Sequence, residues 1–328
     1  MERMIGGRMV EAIGLGCMNV NHAYAAAIDP AAAIALFRRA VECGYRHFDT
    51  SRLYGGGINE QLVGEALKSQ RDRVFLASKM GIFVEDRKRW IDCRPQTIRA
   101  ELEKSLRALQ TDHIDLYYMH RRDFDTPIEE SALAMADLIR EGKIGSYGLS
   151  EMSAETLRRA HAVAPVGAMQ TEYSLMTRNV EIGVLEAARE LGVALVAFSP
   201  VGRGALADAA LDPSGFGKHD LRHSMPRFNA ENWPRNVELT RGFAAIAREE
   251  GVTPAQLSLG WVLSRGEHVH AIPGTSSMAH MEENIARAGW MPGPDTVRRL
   301  DALINQQTVA GPRYSPGLQA TIDTEEFA

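Results

Sequence analysis

The chain has 328 residues, 45% hydrophobic and 24% charged, with a net charge of −5; this balance is ordinary for a globular protein and excludes a basic nucleic-acid or membrane surface, while leaving acidic substrates open. Its three cysteines, Cys17, Cys43 and Cys93, are odd in number and far apart, which argues against a disulfide framework and fits a reducing cytoplasm. The opening MERMIGGRMV has no apolar h-region, and no stretch approaches the roughly 18–20 continuous apolar residues of a membrane helix, so the expectation is a soluble, cytoplasmic protein.

In chain order, strands are expected at 12–17 (AIGLGC), 47–50 (HFDT), 74–78 (VFLAS), 114–119 (IDLYYM), 144–150 (IGSYGLS), 167–172 (GAMQTE), 194–199 (ALVAFS) and 269–274 (VHAIPG). Several are apolar on both faces, as parallel strands covered by helices are. Helical signals fill the gaps. After Asp29 as N-cap comes Pro30 at the first helical position, and Gly44 closes that helix. Ile98, Leu102, Leu106 and Leu109 fall on one face of the next clear helix. SAETLRRAHAV and GVLEAARELG follow the same logic. Between 199 and 269 the spacing lengthens to a Gly/Pro/Asn-rich loop and two helices at 236–250 and 254–265, and long loops in compact domains are usually functional. A last helix near 294–306 precedes an aperiodic tail. Eight alternating βα units favour an α/β fold of the closed (β/α)8 TIM-barrel type, in one domain spanning 1–328 with an extension at 1–11 and a tail at 311–328.

Barrel chemistry belongs at the C-terminal ends of the strands. Those ends carry Asp49 and Tyr54 after strand two, Lys79 after strand three and His120 after strand four. Taken singly, each has a plain reading: Asp49 a helix cap or turn residue, Lys79 a surface lysine, His120 a structural histidine. Together they form a metal-free acid catalyst. An ammonium pulls a phenol pKa down, an aspartate holds the ammonium, and a histidine positions a carbonyl oxygen.

FDTSRLYG, LASKMG, YMHRRD, GLSE, QTEYSL, AFSPVGRGAL and IPGTSSMAHMEEN, in this order from about residue 10 to 290, resemble the aldo-keto reductase family. The resemblance implies that Asp49, Tyr54, Lys79 and His120 are its catalytic tetrad. Tyr54 would donate the proton, Lys79 would lower its pKa, Asp49 would orient Lys79, and His120 would hold the oxygen. It further implies NADP(H)-dependent reduction of an aldehyde or ketone to an alcohol, with a small-molecule substrate and no nucleic-acid or membrane partner.

The implied cofactor contacts also include Asp49. Gly16, Cys17 and Met18 would lie near the nicotinamide end, where Ser150 and Gln170 bind the carboxamide. Phe198 would stack on the nicotinamide ring, although an ordinary core aromatic reads as well. Ser199, Pro200, Val201, Gly202, Arg203 and Gly204 would wrap the pyrophosphate. Gly274, Thr275, Ser276, Ser277, His280, Glu283 and Asn284 match the adenosine end. That segment has no Lys or Arg before Arg287 to grip a 2′-phosphate, so NADP(H) use with relaxed discrimination against NAD(H) is expected. Glu151 stands where many relatives carry Asn, and a carboxylate cannot donate to a carboxamide oxygen. Met18, Tyr24, Trp90 and Trp233 are candidates for shaping the substrate site, or plain loop packing.

Other readings compete. The Gly202–Ala207 stretch resembles a loose dinucleotide fingerprint, but no strand with an acidic end follows, so a Rossmann unit is rejected. The glycines 55–57 read as a flexible turn rather than a phosphate loop. A nicotinamide-nucleotide sensor with little turnover remains the alternative. A metal hydrolase, suggested by His268 and His270, lacks ligands on several strand ends, so no metal is expected. No heptad or apolar patch sets an oligomeric state.

Overall fold

In the computed structural model, which describes residues 1–24, 26–86, 88–207 and 211–327, the expected strands assemble into one eight-stranded sheet. They are β1 (Leu15–Gly16), β2 (His47–Asp49), β3 (Phe75–Met80), β4 (Ile114–Met119), β5 (Ile144–Ser150), β6 (Ala168–Glu172), β7 (Ala194–Phe198) and β8 (Val269–Ile272). Neighbours follow chain order and every pairing is parallel. The sheet closes on itself: the Gly14 and Gly16 N–H groups donate to the Ala271 and Pro273 carbonyls at 2.9 and 3.1 Å. This is a (β/α)8 barrel. The first strand is shorter than its apolar run, and beside it the backbone of Gly14 packs closely on His47: a Cβ on Gly14 would lie 2.7 Å from His47 Nδ1.

The double-sided apolar character of the strands has a direct cause. Leu116 and Tyr118 of β4 belong to the barrel interior, with Phe75, Ala77 and Val196, whereas Tyr117 and Met119 face the helical layer. The helices after β1 to β6 are α1 (Pro30–Glu42), α2 (Ile58–Leu67), α3 (Pro95–Leu109), α4 (Ile128–Arg140), α5 (Ala154–Val163) and α6 (Val184–Glu190). Asp29 caps α1, accepting from the Ala31 and Ala32 N–H groups at 2.9 and 3.2 Å. Ile98, Leu102, Leu106 and Leu109 are all buried. α7 (Trp233–Glu249) and α8 (Pro254–Leu263) follow the long loop, and α9 (Met278–Ala286), α10 (Pro294–Leu303) and the short α11 (Pro316–Gln319) follow β8.

Two antiparallel hairpins interrupt the alternation. Residues Glu2–Ile5 pair with Arg8–Glu11 and insert Ile5 and Val10 into the barrel interior. Residues Ile82–Glu85 pair with Lys88–Ile91 beyond β3. The tail is anchored as well: Asp323 accepts from the Ser153 N–H at 3.0 Å and Glu325 from the Ala154 N–H at 2.8 Å, so its acids meet the N-terminus of α5. Among the described residues, no helix is long and apolar enough to cross a membrane.

Candidate active site

Four polar side chains converge where β2, β3 and β4 end. Asp49 is the last residue of β2, Lys79 lies within β3 rather than beyond it, and His120 follows β4. Relative exposures are 2% for Asp49, 8% for Tyr54, 0% for Lys79 and 7% for His120. Lys79 Nζ pairs with Asp49 Oδ1 and donates to the Thr50 carbonyl at 2.9 Å. It also lies 5.3 Å from the centre of the Tyr54 ring. The Tyr54 and His120 rings meet edge to face with centroids 6.0 Å apart. Gln170 Nε2 donates to Asp49 Oδ2 at 2.8 Å.

Local structure holds the phenol in place. Gly55, Gly56 and Gly57 have φ of 56°, 65° and 95°, a left-handed run that glycine adopts without a Cβ penalty. A Cβ on Gly55 would come within 2.4 Å of Asn21 Nδ2. Asn59 laces the loops after β1 and β2 together, donating to the Cys17 carbonyl at 2.8 Å and Asn21 Oδ1 at 2.7 Å while accepting from Thr50 Oγ1 at 2.6 Å.

The electrostatics differ in one respect from the expectation. Burial pushes the Tyr54 phenol up by more than Lys79 pulls it down, so its pKa lies above the ordinary value and not below it. Tyr54 is therefore protonated across the neutral range, as a proton donor must be. Burial works against the Lys79 ammonium, but Asp49 and Tyr54 together outweigh it and hold the pKa above normal. Burial also raises Asp49, against the pull of Lys79 and Gln170. Those two directions oppose each other over whether the pair is charged. Both Asp49 oxygens accept hydrogen bonds, which stabilise the carboxylate form and favour the ion pair. Burial, then Arg121 and Lys79, hold His120 well below its usual pKa, so its ring is neutral. Its Nδ1 lies 3.2 Å from Ser51 Oγ.

Tyr54 and His120 open onto a cavity of about 1000 Å³. Gly16, Met18, Tyr24, Asp49, Ser150 and Gln170 line it near the tetrad, and Phe198, Ser199, Pro200, Val201, Arg203 and Gly204 line its middle. Gly274, Thr275, Ser276, Ser277, His280, Glu283 and Asn284 line the far end. There Ser277 caps α9, its Oγ accepting from the His280 N–H at 3.3 Å, and Thr275 Oγ1 accepts from the Ser277 N–H at 3.0 Å. Ser258 Oγ donates to the Pro200 carbonyl at 2.7 Å and pins the segment after β7. Ser199 and Arg203 are left-handed, with φ of 49° and 57°, a costly backbone state concentrated at this wall.

Several expected contacts lie elsewhere. Cys17 and Gly202 are buried behind the lining, and the Cys17 thiol points to the Leu15 carbonyl at 3.6 Å. Trp90 is 43% exposed and stacks on Phe83; successive strand residues face opposite sides, so the hairpin presents Arg89 to the cavity instead. Trp233 stacks on Phe228 with centroids 5.4 Å apart, outside the lining. The Arg203 guanidinium, expected to be available to a pyrophosphate, is engaged by Glu172, by Tyr314 Oη at 2.9 Å and by Tyr24 Oη at 3.2 Å.

That engagement belongs to a buried network absent from the sequence reading. Glu151, with φ of 56°, accepts from Arg313, from Thr324 Oγ1 at 2.8 Å and from the Glu172 N–H at 2.8 Å. Glu172 in turn binds Arg203 and, at 3.1 Å, Arg313 Nε. Burial opposes both carboxylates, yet Arg313 with Arg121 holds Glu151 below the usual range, and Arg203 with Arg313 holds Glu172 far below it. The departure at Glu151 is thus an anchor for the tail. His22, which stacks on Tyr54 at 5.5 Å, and Arg121, which follows His120 directly, were also missed. Adjacency to the YMHRRD motif was the available signal for Arg121. Among the described residues no three His, Cys, Asp or Glu side chains are grouped to hold a metal, and His270 sits at the opposite end of the barrel, 3.3 Å from the Met4 carbonyl.

The Aldo/keto reductase family matches residues 12–304. The chain belongs to the aldo/keto reductase family. It is 38% identical to aldo-keto reductase yakc [NADP(+)] of Schizosaccharomyces pombe, over 98% of this chain and 96% of that one. The glycerol dehydrogenase of Gluconobacter oxydans superposes with a TM-score of 0.85 at 28% identity, covering 96% of this chain and 98% of that one. An aldo-keto reductase of Klebsiella pneumoniae, solved with NADP and acetate, superposes at 0.72 with 27% identity, covering 96% and 99%. The chain is accordingly an oxidoreductase of this family.

Proposed function

We propose that the protein reduces the carbonyl of an aldehyde or ketone to an alcohol with NADPH, with Tyr54 as the proton donor. The observation that carries this reading is the Tyr54 phenol at the cavity wall, backed by the buried Lys79–Asp49 pair. NADPH supplies the hydride when it is bound. The cavity suits such a cofactor: the Ser150 hydroxyl and Gln170 amide offer an amide-binding pair near Tyr54, and the capped N-terminus of α9 offers N–H groups for a phosphate at the far end. The names of the fission-yeast relative and the Klebsiella complex support the choice of NADP(H).

In this reading the neutral His120 and the protonated Tyr54 flank the carbonyl oxygen. Tyr54 passes its proton to that oxygen as the carbonyl carbon accepts the hydride, and Lys79 steadies the phenolate left behind. Asp49 keeps Lys79 charged. Among the described residues no guanidinium or ammonium lines the α9 end, and Arg39 beside it is paired with Glu42 and Glu282. Losing a charge-assisted contact there costs about tenfold or more in preference, so NADH serves as a slower but usable substitute. A single barrel unit working in the cytoplasm completes the reading.

The test is NADPH oxidation at 340 nm with benzaldehyde, repeated with NADH. Turnover with a modest preference for NADPH is expected. Binding of NADPH, seen by fluorescence, without turnover of any aldehyde or ketone would favour a nucleotide sensor. Equal or better kcat/KM with NADH would overturn the NADP(H) assignment.

A further inference from the structure

The cavity carries more positive charge at its catalytic end than its own acids balance. Four arginines line it: Arg89, Arg121, Arg203 and Arg222. Arg203 is paired with Glu172 and Arg222 with Asp220. Neither Arg89 nor Arg121 has a carboxylate within salt-bridge distance among the described residues, although the Arg121 charge acts on the buried Glu151 from further away. Arg121 Nη1 donates to the His120 carbonyl at 2.6 Å and to Ser150 Oγ at 3.3 Å, while its Nε is buried without a partner. Arg89 reaches the cavity from the hairpin after β3 and makes no hydrogen bond among the described residues.

The acids of the lining do not answer these charges. Asp49 is taken by Lys79 and Gln170, and Glu283 binds Thr253 Oγ1 at the α9 end. Burial and the nearby Arg121 charge both lower the Arg89 pKa, and Arg89 and Arg121 together disfavour a proton on His120. Two cations held near each other and near neutral His120 repel until an anion lies between them. Guanidinium groups recognise carboxylates by paired hydrogen bonds, which Arg89 offers from an exposed position on the cavity lining and Arg121 from a half-buried one.

We infer that the substrate is a carbonyl compound that also bears a carboxylate, with Arg89 and Arg121 holding that carboxylate while Tyr54 and His120 address the carbonyl. This rests on the reductase reading above. Arg89 sets substrate preference, and Arg121 adds charge from a position tied to the His120 backbone.

The experiment measures kcat/KM of the full chain with saturating NADPH for benzaldehyde and for 3- and 4-carboxybenzaldehyde. At least one carboxylated aldehyde should be preferred by about tenfold, the scale of one charge-assisted contact. Its KM should rise with added salt, as screening requires. Arg89→Gln should lose most of that preference through KM, and Arg89→Lys should keep much of it, which separates lost charge from a damaged fold. Equal kcat/KM for all three aldehydes, or a preference that Arg89→Gln leaves intact, overturns the inference while the reductase reading stands. A rise in KM for NADPH in Arg89→Gln, with the aldehyde preference unchanged, would assign the arginine to the cofactor and overturn it too. No turnover of any aldehyde would defeat both readings.

Discussion

Two buried clusters of opposite charges lie close together at the C-terminal mouth of the barrel. One is Asp49 with Lys79; the other joins Glu151 and Glu172 to Arg203 and Arg313. Both are almost fully buried, and both shift the pKa of their members. They differ in what they leave over. In the larger cluster the charges mainly satisfy each other, and the Tyr314 hydroxyl is itself bonded to Glu172 at 3.2 Å. Beside the smaller pair, the Tyr54 phenol is stacked and buried but faces the cavity. Burial of charge is thus no mark of catalysis by itself. Tyr314 lines the same cavity but gives its hydroxyl to Glu172, so the mark is a proton-bearing group next to the charge whose own proton no protein acceptor among the described residues has taken.

The sharpest way to test this contrast is to remove one cation from each cluster. Lys79→Met should lower kcat by at least about 100-fold, the lower end of what a positioned acid contributes, measured as NADPH oxidation at 340 nm. Arg313→Met should instead appear mainly as lost stability, about 3–5 kcal/mol by urea denaturation, because Glu151 is left buried without its partner. Its kcat should fall far less than that of Lys79→Met. If the two variants exchanged these effects, the assignment of roles would be reversed.

A third test acts at the other end of the barrel. Burial pushes His47 and His270 down to about 3, whereas an unfolded histidine titrates near 6.5. Between those values the unfolded chain binds protons that the fold excludes. Stability should therefore fall as pH falls from about 6.5, by up to about 1.4 kcal/mol per pH unit for each histidine. Below about 4.5 the depressed Glu151 and Glu172 add to the loss, since their contribution is present above the unfolded carboxyl pKa and disappears on acidification. Urea midpoints at pH 7 and pH 5 check the first part. The smallest expected effect is almost none: with His120 well below its usual pKa and Tyr54 above its own, kcat/KM for reduction should be flat from about pH 6.5 to 9. An inflection near 6.5 would mean that His120 is not held neutral.

Much of this was legible in the residues. The barrel strands were readable because several are apolar on both sides and most are followed by a helical pattern, and the tetrad because Asp49, Lys79 and His120 close or follow such runs, with Tyr54 in the loop just beyond Asp49. The hairpin at 2–11 carries a turn signal in Gly6–Gly7, but βα alternation passes over strands of four residues with no helix behind them. The tail was opaque for a different reason. It is held partly by single polar anchors such as Arg313, Asp323 and Glu325, which have no period, and partly by Tyr314, Leu318 and Ile322, whose four-residue spacing is too short a stripe to announce itself. Trp90 shows the limit of reading a loop by composition: whether it or Arg89 faces the cavity depends on the register of a hairpin that the sequence does not announce.

The measurement that bears most directly on the account is Tyr54→Phe, assayed twice on the same sample. NADPH binding is followed by fluorescence titration, and aldehyde reduction by absorbance at 340 nm. The account predicts NADPH affinity close to that of the parent and turnover lower by about 100-fold or more. Turnover near the parent level in the phenylalanine variant would contradict it, because the proton would then come from some other group.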